Sequence, residues 1–156
     1  MSLFANQEWI FIAIVFFGII FYISWLRWRE RKWIEKRFGE DRAVAMSFGV
    51  NYFGRTTEPG APRKSSGFLL MFPDKLFYRS RLTKLELEIP GHRLTRVYHD
   101  RNHKGIDLHQ SLMKVDFLNH EGQEDTAAFK VPYPPQWIQA IQHNLVKNNP
   151  TPPSKT

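Results

Sequence analysis

Gly67–Ser80 reads GFLLMFPDKLFYRS, and this stretch sets the character of most of the chain. Gly67 to Phe72 is a short, continuous apolar run of the kind that forms a buried strand. Pro73-Asp74 is turn chemistry, because proline presets φ and aspartate bonds its own backbone. Lys75 to Ser80 then returns with Leu76, Phe77 and Tyr78, so the whole stretch is expected to be a β-hairpin.

The same texture continues on both sides. Ala45 to Arg55 (AMSFGVNYFGR) is expected to be a first strand, and TEPGAPRK (Thr57–Lys64) a loop kept irregular by two prolines and a glycine. After the hairpin, Thr83 to Ile89 (TKLELEI) alternates with period two. Leu85, Leu87 and Ile89 share one face, and Lys84, Glu86 and Glu88 the other, the pattern of a half-buried strand. Pro90-Gly91 ends it. Arg93–Tyr98 and Ser111–Leu118 are two further strands, separated by the polar HDRNHKG region, which is read as a turn. Asn119–Asp125 turns the chain again into Thr126–Val131. Past Pro132, Pro134 and Pro135 the period changes: Trp137, Ile138, Ile141 and Leu145 form the stripe of an amphipathic helix that packs on a sheet. Six or seven antiparallel strands with one closing helix are therefore expected over 44–147, with a disordered tail at 148–156.

The first thirty residues are a different material. Trp9–Leu26, WIFIAIVFFGIIFYISWL, carries no charge and reaches about 27 Å as a helix, close to the thickness of a bilayer's hydrocarbon. It is apolar all round, and aromatic rings mark its ends: Trp9 at one, Trp25, Trp28 and Trp33 at the other. A cleaved signal peptide would place its cations before the apolar core and small residues after it. Here the order is reversed, so residues 9–28 are expected to be a transmembrane helix. Residues 1–8 form a short extracytoplasmic terminus, and 29–43 a basic juxtamembrane helix or linker.

Arg27, Arg29, Arg31 and Lys32 follow the span directly. By the positive-inside rule they keep the C-terminal domain cytoplasmic, and the expected location is a bacterial inner membrane crossed once. The stretch RWRERKWIEKRFGEDR (27–42) is read as helical, with Gly39 as its stop. Trp33, Ile34 and Phe38 could dip into lipid. A helical stalk explains the same residues more simply, since topology already demands the cations.

The chain of 156 residues carries 22 Lys and Arg against 15 Asp and Glu, a net charge of +7. Positive charge beside a membrane span points first to anionic lipid. Arg63, Lys64, Arg79, Arg81 and Lys84 are the candidate patch for an anion, a lipid headgroup or a protein partner. There is no cysteine, which excludes disulfides, thiolate metal sites, cysteine nucleophiles and cysteine-linked lipids. His92, His99, His103 and His109 lie near Asp100 and Asp107, but in a turn sequence with no second ligand pair, so they are read as exposed loop histidines and no metal is expected. No nucleophile elbow, phosphate-cradling glycine loop or H-E-x-x-H motif is present; the chain is expected to be no enzyme and to need no cofactor. The basic pI alone suggests nucleic acid, and without an aromatic RNA-binding signature none is expected as a partner.

The runs GFLLMFPDKLFYRS, LELEIPGHRLTRVYH, LMKVDFLNHEG and TAAFKVPYPPQWIQAI together resemble the bacterial pleckstrin-homology-like and GRAM-like domains, over roughly Phe48 to Leu145. The resemblance implies an α+β, mainly antiparallel domain with a C-terminal capping helix, serving as a lipid- or protein-binding module. Around the loop where phosphoinositide-binding members carry K-x-n-[KR]-x-R, this chain has Arg55, Arg63 and Lys64 at other spacings. The expected function is that of a non-catalytic, membrane-anchored accessory or scaffold subunit docking on other membrane protein subunits. The alternative is a peripheral binder of anionic headgroups.

Overall fold

A computed structural model describes residues 2–39 and 43–146. The expected tail at 148–156 and positions 40–42 of the juxtamembrane stretch lie outside the described residues. The chain divides into two compact units, Met1–Arg42 and Ala43–Thr156.

The first unit is one helix, α1, Ser2–Phe38. Its candidate membrane span runs over Asn6–Phe38, and none of the most apolar window is buried by protein. Phe11, Phe17 and Phe21 each leave about two thirds or more of their surface open. With no polar stripe to turn toward water, lipid is the solvent such a surface fits. The helix continues without a break into the basic segment and stops at Gly39, whose φ of +59° only a residue without Cβ adopts at little cost.

The second unit is a seven-stranded antiparallel sheet: β1 Ala45–Arg55, β2 Ser65–Met71, β3 Lys75–Ser80, β4 Glu86–Pro90, β5 Leu94–His103, β6 Ile106–Leu118 and β7 Glu124–Lys130. The strand order is β4-β3-β2-β1-β7-β6-β5. Two local meanders thus meet along the β1–β7 pair, and a short 3-10 turn, Gly91–Arg93, carries the chain from one outer strand to the other. Register shifts in β1 at Phe48/Val50 and Tyr52/Arg55, with Gly49 and Gly54 at positive φ, bend this central strand.

The expected hairpin is β2–β3, with Leu69 opposite Tyr78 and Met71 opposite Leu76. At Gly67 a Cβ would run into the Arg79 carbonyl of the facing strand. Core residues alternate along the strands, and Tyr52, Tyr78 and Phe129 stack at ring separations of 5.0 to 5.5 Å. Helix α2, Pro134–Ile141, closes the core with Trp137, Ile138 and Ile141. The next turn, Gln142–Val146, widens to π geometry and still buries Leu145. A long apolar helix followed by this all-antiparallel sheet with its C-terminal helix is the α+β, mainly antiparallel architecture expected from the sequence.

Two boundaries differ from expectation. The strand expected from Thr83 begins at Glu86, because Arg81–Thr83 form the turn; Leu85 is left 45% exposed. The HDRNH region is strand, not turn, so β5 and β6 make one long hairpin. Lys114 Nζ holds it from across the ladder, donating to Asp100 Oδ2 at 3.3 Å and to the Asn102 carbonyl at 2.9 Å.

Candidate functional site

On α1, the aromatic residues expected at a membrane interface sit among the cations. The Arg29 guanidinium lies 5.1 Å from the Trp25 ring, and Lys32 Nζ 6.0 Å from Trp28. Trp9, Trp25 and Trp28 are exposed, and Trp33 stacks edge-on to Phe38 at 6.2 Å. Arg27 and Arg31 occupy the same helical stretch. Rings with cations over them suit the headgroup layer, where one side of each group is wet.

In the domain, the β1–β2 loop and the β3–β4 turn come to one end of the sheet. Arg81 N donates to the Ser66 carbonyl at 2.8 Å, and Ser65 Oγ to Ser80 Oγ at 2.7 Å. Arg63 and Lys64, which lead into β2, and Arg81 and Lys84, in the turn after β3, are therefore gathered there. Leu82 stands among them, 90% exposed. Arg79 is not part of this loop group: it lies on β3, 3.6 Å from Glu86.

A buried polar hub anchors the same loop. The Asp125 carboxylate, wholly inaccessible, accepts from Thr56 Oγ1 (3.0 Å), Thr57 N (3.2 Å), Thr57 Oγ1 (2.8 Å) and Thr126 N (2.9 Å). Arg55 adds an ion pair at 3.5 Å and reaches Glu58 at 3.2 Å. Tyr52 donates its hydroxyl to Glu58 at 3.0 Å. Burial, and then the Glu58 carboxylate, push the Tyr52 phenol far above its ordinary range, so it stays a neutral donor.

From the long hairpin, Lys104 Nζ donates to the carbonyls of Glu58 (2.7 Å) and Gly60 (3.3 Å). His103, read from sequence as an exposed loop residue, is fully buried beside this contact. Its Nε2 lies 2.9 Å from the Gly54 carbonyl. Desolvation holds its pKa below the ordinary histidine value. Nε2 is then the N–H donor, and Nδ1 is left without a hydrogen-bond partner. His99 and His109 are exposed, and no group of three metal-ligating side chains occurs among the described residues.

Beside these features opens a groove of about 360 Å³. One side is Leu85–Glu88 and Pro90; Arg93 and Phe117–His120 also line it, as do Tyr52, Arg55 and Glu58. Its ionic groups are engaged with one another or with neighbours: Glu88 with Lys75 (3.5 Å), Glu86 with Arg79, Arg55 with Glu58, and Arg93 Nη1 with His120 Nδ1 (3.0 Å). Serine, threonine and cysteine are absent from its lining, and the hydroxyl of Tyr52 there is held by Glu58.

Sequence reasoning missed the Asp125 hub, His103 and the groove. Thr56 and Asp125 are 69 positions apart, and nothing local in either segment announces the other.

No protein-family profile matches this chain, and no curated protein matches it. Among solved structures it is similar to the C-terminal domain of an unknown protein from Leishmania infantum, with a TM-score of 0.52 and 15% identity over 78% of this chain and 98% of that one. It is also similar to the Vps36 N-terminal PH domain, with a TM-score of 0.49 and 10% identity over 68% of this chain and 80% of the other. The fold class here rests on the strand order and the closing helix, not on that second likeness.

Proposed function

We propose that this chain is a non-catalytic accessory or scaffold subunit. It is anchored in a bacterial inner membrane by α1, with its N-terminus outside, and its pleckstrin-homology-like domain docks on the cytoplasmic surface of a larger membrane protein complex. The observation that carries this reading is the groove at the end of the sheet, whose charges are largely paired while Leu85 is left open. Engaged charges hold a phosphate weakly, whereas a shallow, mixed rim of this kind suits a protein surface. Purification of the full chain in mild detergent is expected to recover membrane proteins in fixed stoichiometry. A clean monomer would overturn the proposal.

A second reading has its own support. Arg63, Lys64, Arg81 and Lys84 gather beside the exposed Leu82, a combination suited to anionic headgroups. Residues 43–156, which have their own core, would then bind anionic vesicles and lose them as salt rises. Absence of vesicle binding leaves the protein-docking reading standing alone.

A further inference from the structure

The end of the long β5–β6 hairpin reaches beyond the strand that flanks it. β7 pairs with β6 over Met113 to Leu118, so residues 101–112 carry on past that ladder. The β5–β6 register shifts between Asp100 and Asn102, an irregularity of the kind at which a hairpin bends. A two-residue turn at Lys104 and Gly105, both at positive φ, closes the hairpin between His103 and Ile106. This end is tied to the end of β1 and to the loop after it. His103 Nε2 donates to the Gly54 carbonyl at 2.9 Å, and Lys104 Nζ to the carbonyls of Glu58 and Gly60. Leu108 packs on the small core formed by Phe53, Leu112 and Ala128.

We propose that His103 and Lys104 form an acid-released latch: protonation of His103 lifts the end of the hairpin off β1 and frees the loop it holds, residues 56–64. The proposal goes beyond the docking function and does not depend on it. An imidazolium carries two N–H groups and needs two acceptors. Gly54 supplies one, whereas Nδ1 is buried and has no partner among the described residues. A charged donor left unmet in the interior is costly, and carrying the ring into water removes that cost. The surrounding charges add to it. Lys114 on β6 and Lys104 in the turn oppose a further positive charge, and Glu58 in the loop favours it. The Glu58 carboxylate, however, already accepts from Tyr52 and Arg55. In water the ring titrates at its ordinary pKa of about 6.5, so the open form binds more protons than the closed one. Acid therefore favours opening, by at most about tenfold per pH unit below about 6.5. Lys104 leaves with the same turn, and the carbonyls of Glu58 and Gly60 return to water. The loop so loosened is the one that leads into Arg63 and Lys64.

The test follows amide hydrogen exchange of the full chain in nanodiscs as the pH is lowered from about 7.5 to about 5. Each rate is divided by that of an unstructured chain at the same pH, which yields the open fraction at each amide. Glu58, whose N–H donates to the Arg55 carbonyl, and residues 102–108 report the latch. Leu69, fully buried in β2, reports global unfolding. The latch amides are expected to open more often than Leu69, with an open fraction that rises up to about tenfold per pH unit below about 6.5. If they open only together with Leu69, His103 acts through global stability alone and the latch is overturned. His103→Gln keeps a donor for Gly54 without a titrating ring, and is expected to abolish the rise; a rise that persists overturns the proposal. Should that variant fail to fold, Lys104→Met removes the bonds to Glu58 and Gly60 while His103 still titrates. It is expected to raise the open fraction about tenfold at every pH with the slope kept, and an unchanged open fraction overturns the latch.

Discussion

Gly67 and His103 show how far a single position can be read. Gly67 leads the hairpin in the sequence as a residue of no obvious role, and the structure gives it one. A methyl group at this point of β2 has the Arg79 carbonyl in its way, and backbone cannot step aside as a flexible side chain would. Gly67→Ala is expected to cost about 2 kcal/mol, measured as a lower midpoint in urea with an unchanged slope. His103 carries a pH dependence. Its folded pKa lies below the unfolded value of about 6.5, so in the window between them the unfolded chain binds more protons. Stability is then full above about pH 6.5 and falls as the solution is acidified toward the folded pKa, by at most about 1.4 kcal/mol per pH unit. His103→Gln, which can still donate to Gly54, is expected to flatten that slope; an unchanged slope would show that His103 does not titrate with folding.

Elements were legible where their signal is local. Leu87 and Ile89 alternate with charged neighbours, and both are core. Trp137, Ile138, Ile141 and Leu145 mark a buried stripe, and it survives even the widening of the last turn to π geometry. The long β5–β6 hairpin was not legible, because Asp100, Asn102 and Gly105 are turn-forming residues by their own chemistry. What makes the region strand is Lys114 and the buried hydrogen bond of His103 to Gly54, both supplied by the fold. The groove was hidden for the same reason, since its walls come from segments distant in sequence. Because α2 closes the core with few side chains, each matters: Ile141 is fully buried, and Ile141→Ala is expected to destabilise the domain by about 3 kcal/mol, seen in thermal unfolding.

At the scale of the whole molecule, composition said most about α1 and least about what the domain meets. The uncharged run and the cations after it are visible in the bare sequence, since bilayer thickness and charge asymmetry are properties of segments. A partner is recognised by surface shape, which no segment states. The proposed orientation makes its own prediction. In inside-out vesicles, protease added from outside should digest the C-terminal domain. Replacing Arg27, Arg29, Arg31 and Lys32 by glutamate should protect a measurable fraction of it, as some chains insert the other way round.

The meeting of two meanders at β1–β7 bears on how the domain reaches its folded state. β1 to β4, and β5 to β7, each assemble from neighbours in the chain, whereas Asn51 must find Lys130 and Thr56 must find Asp125 across most of the domain. Contacts of such separation are slow to form, because a long loop closes before anything rewards it. Zipping that seam is expected to be the step that sets the refolding rate, with two half-sheets waiting on it.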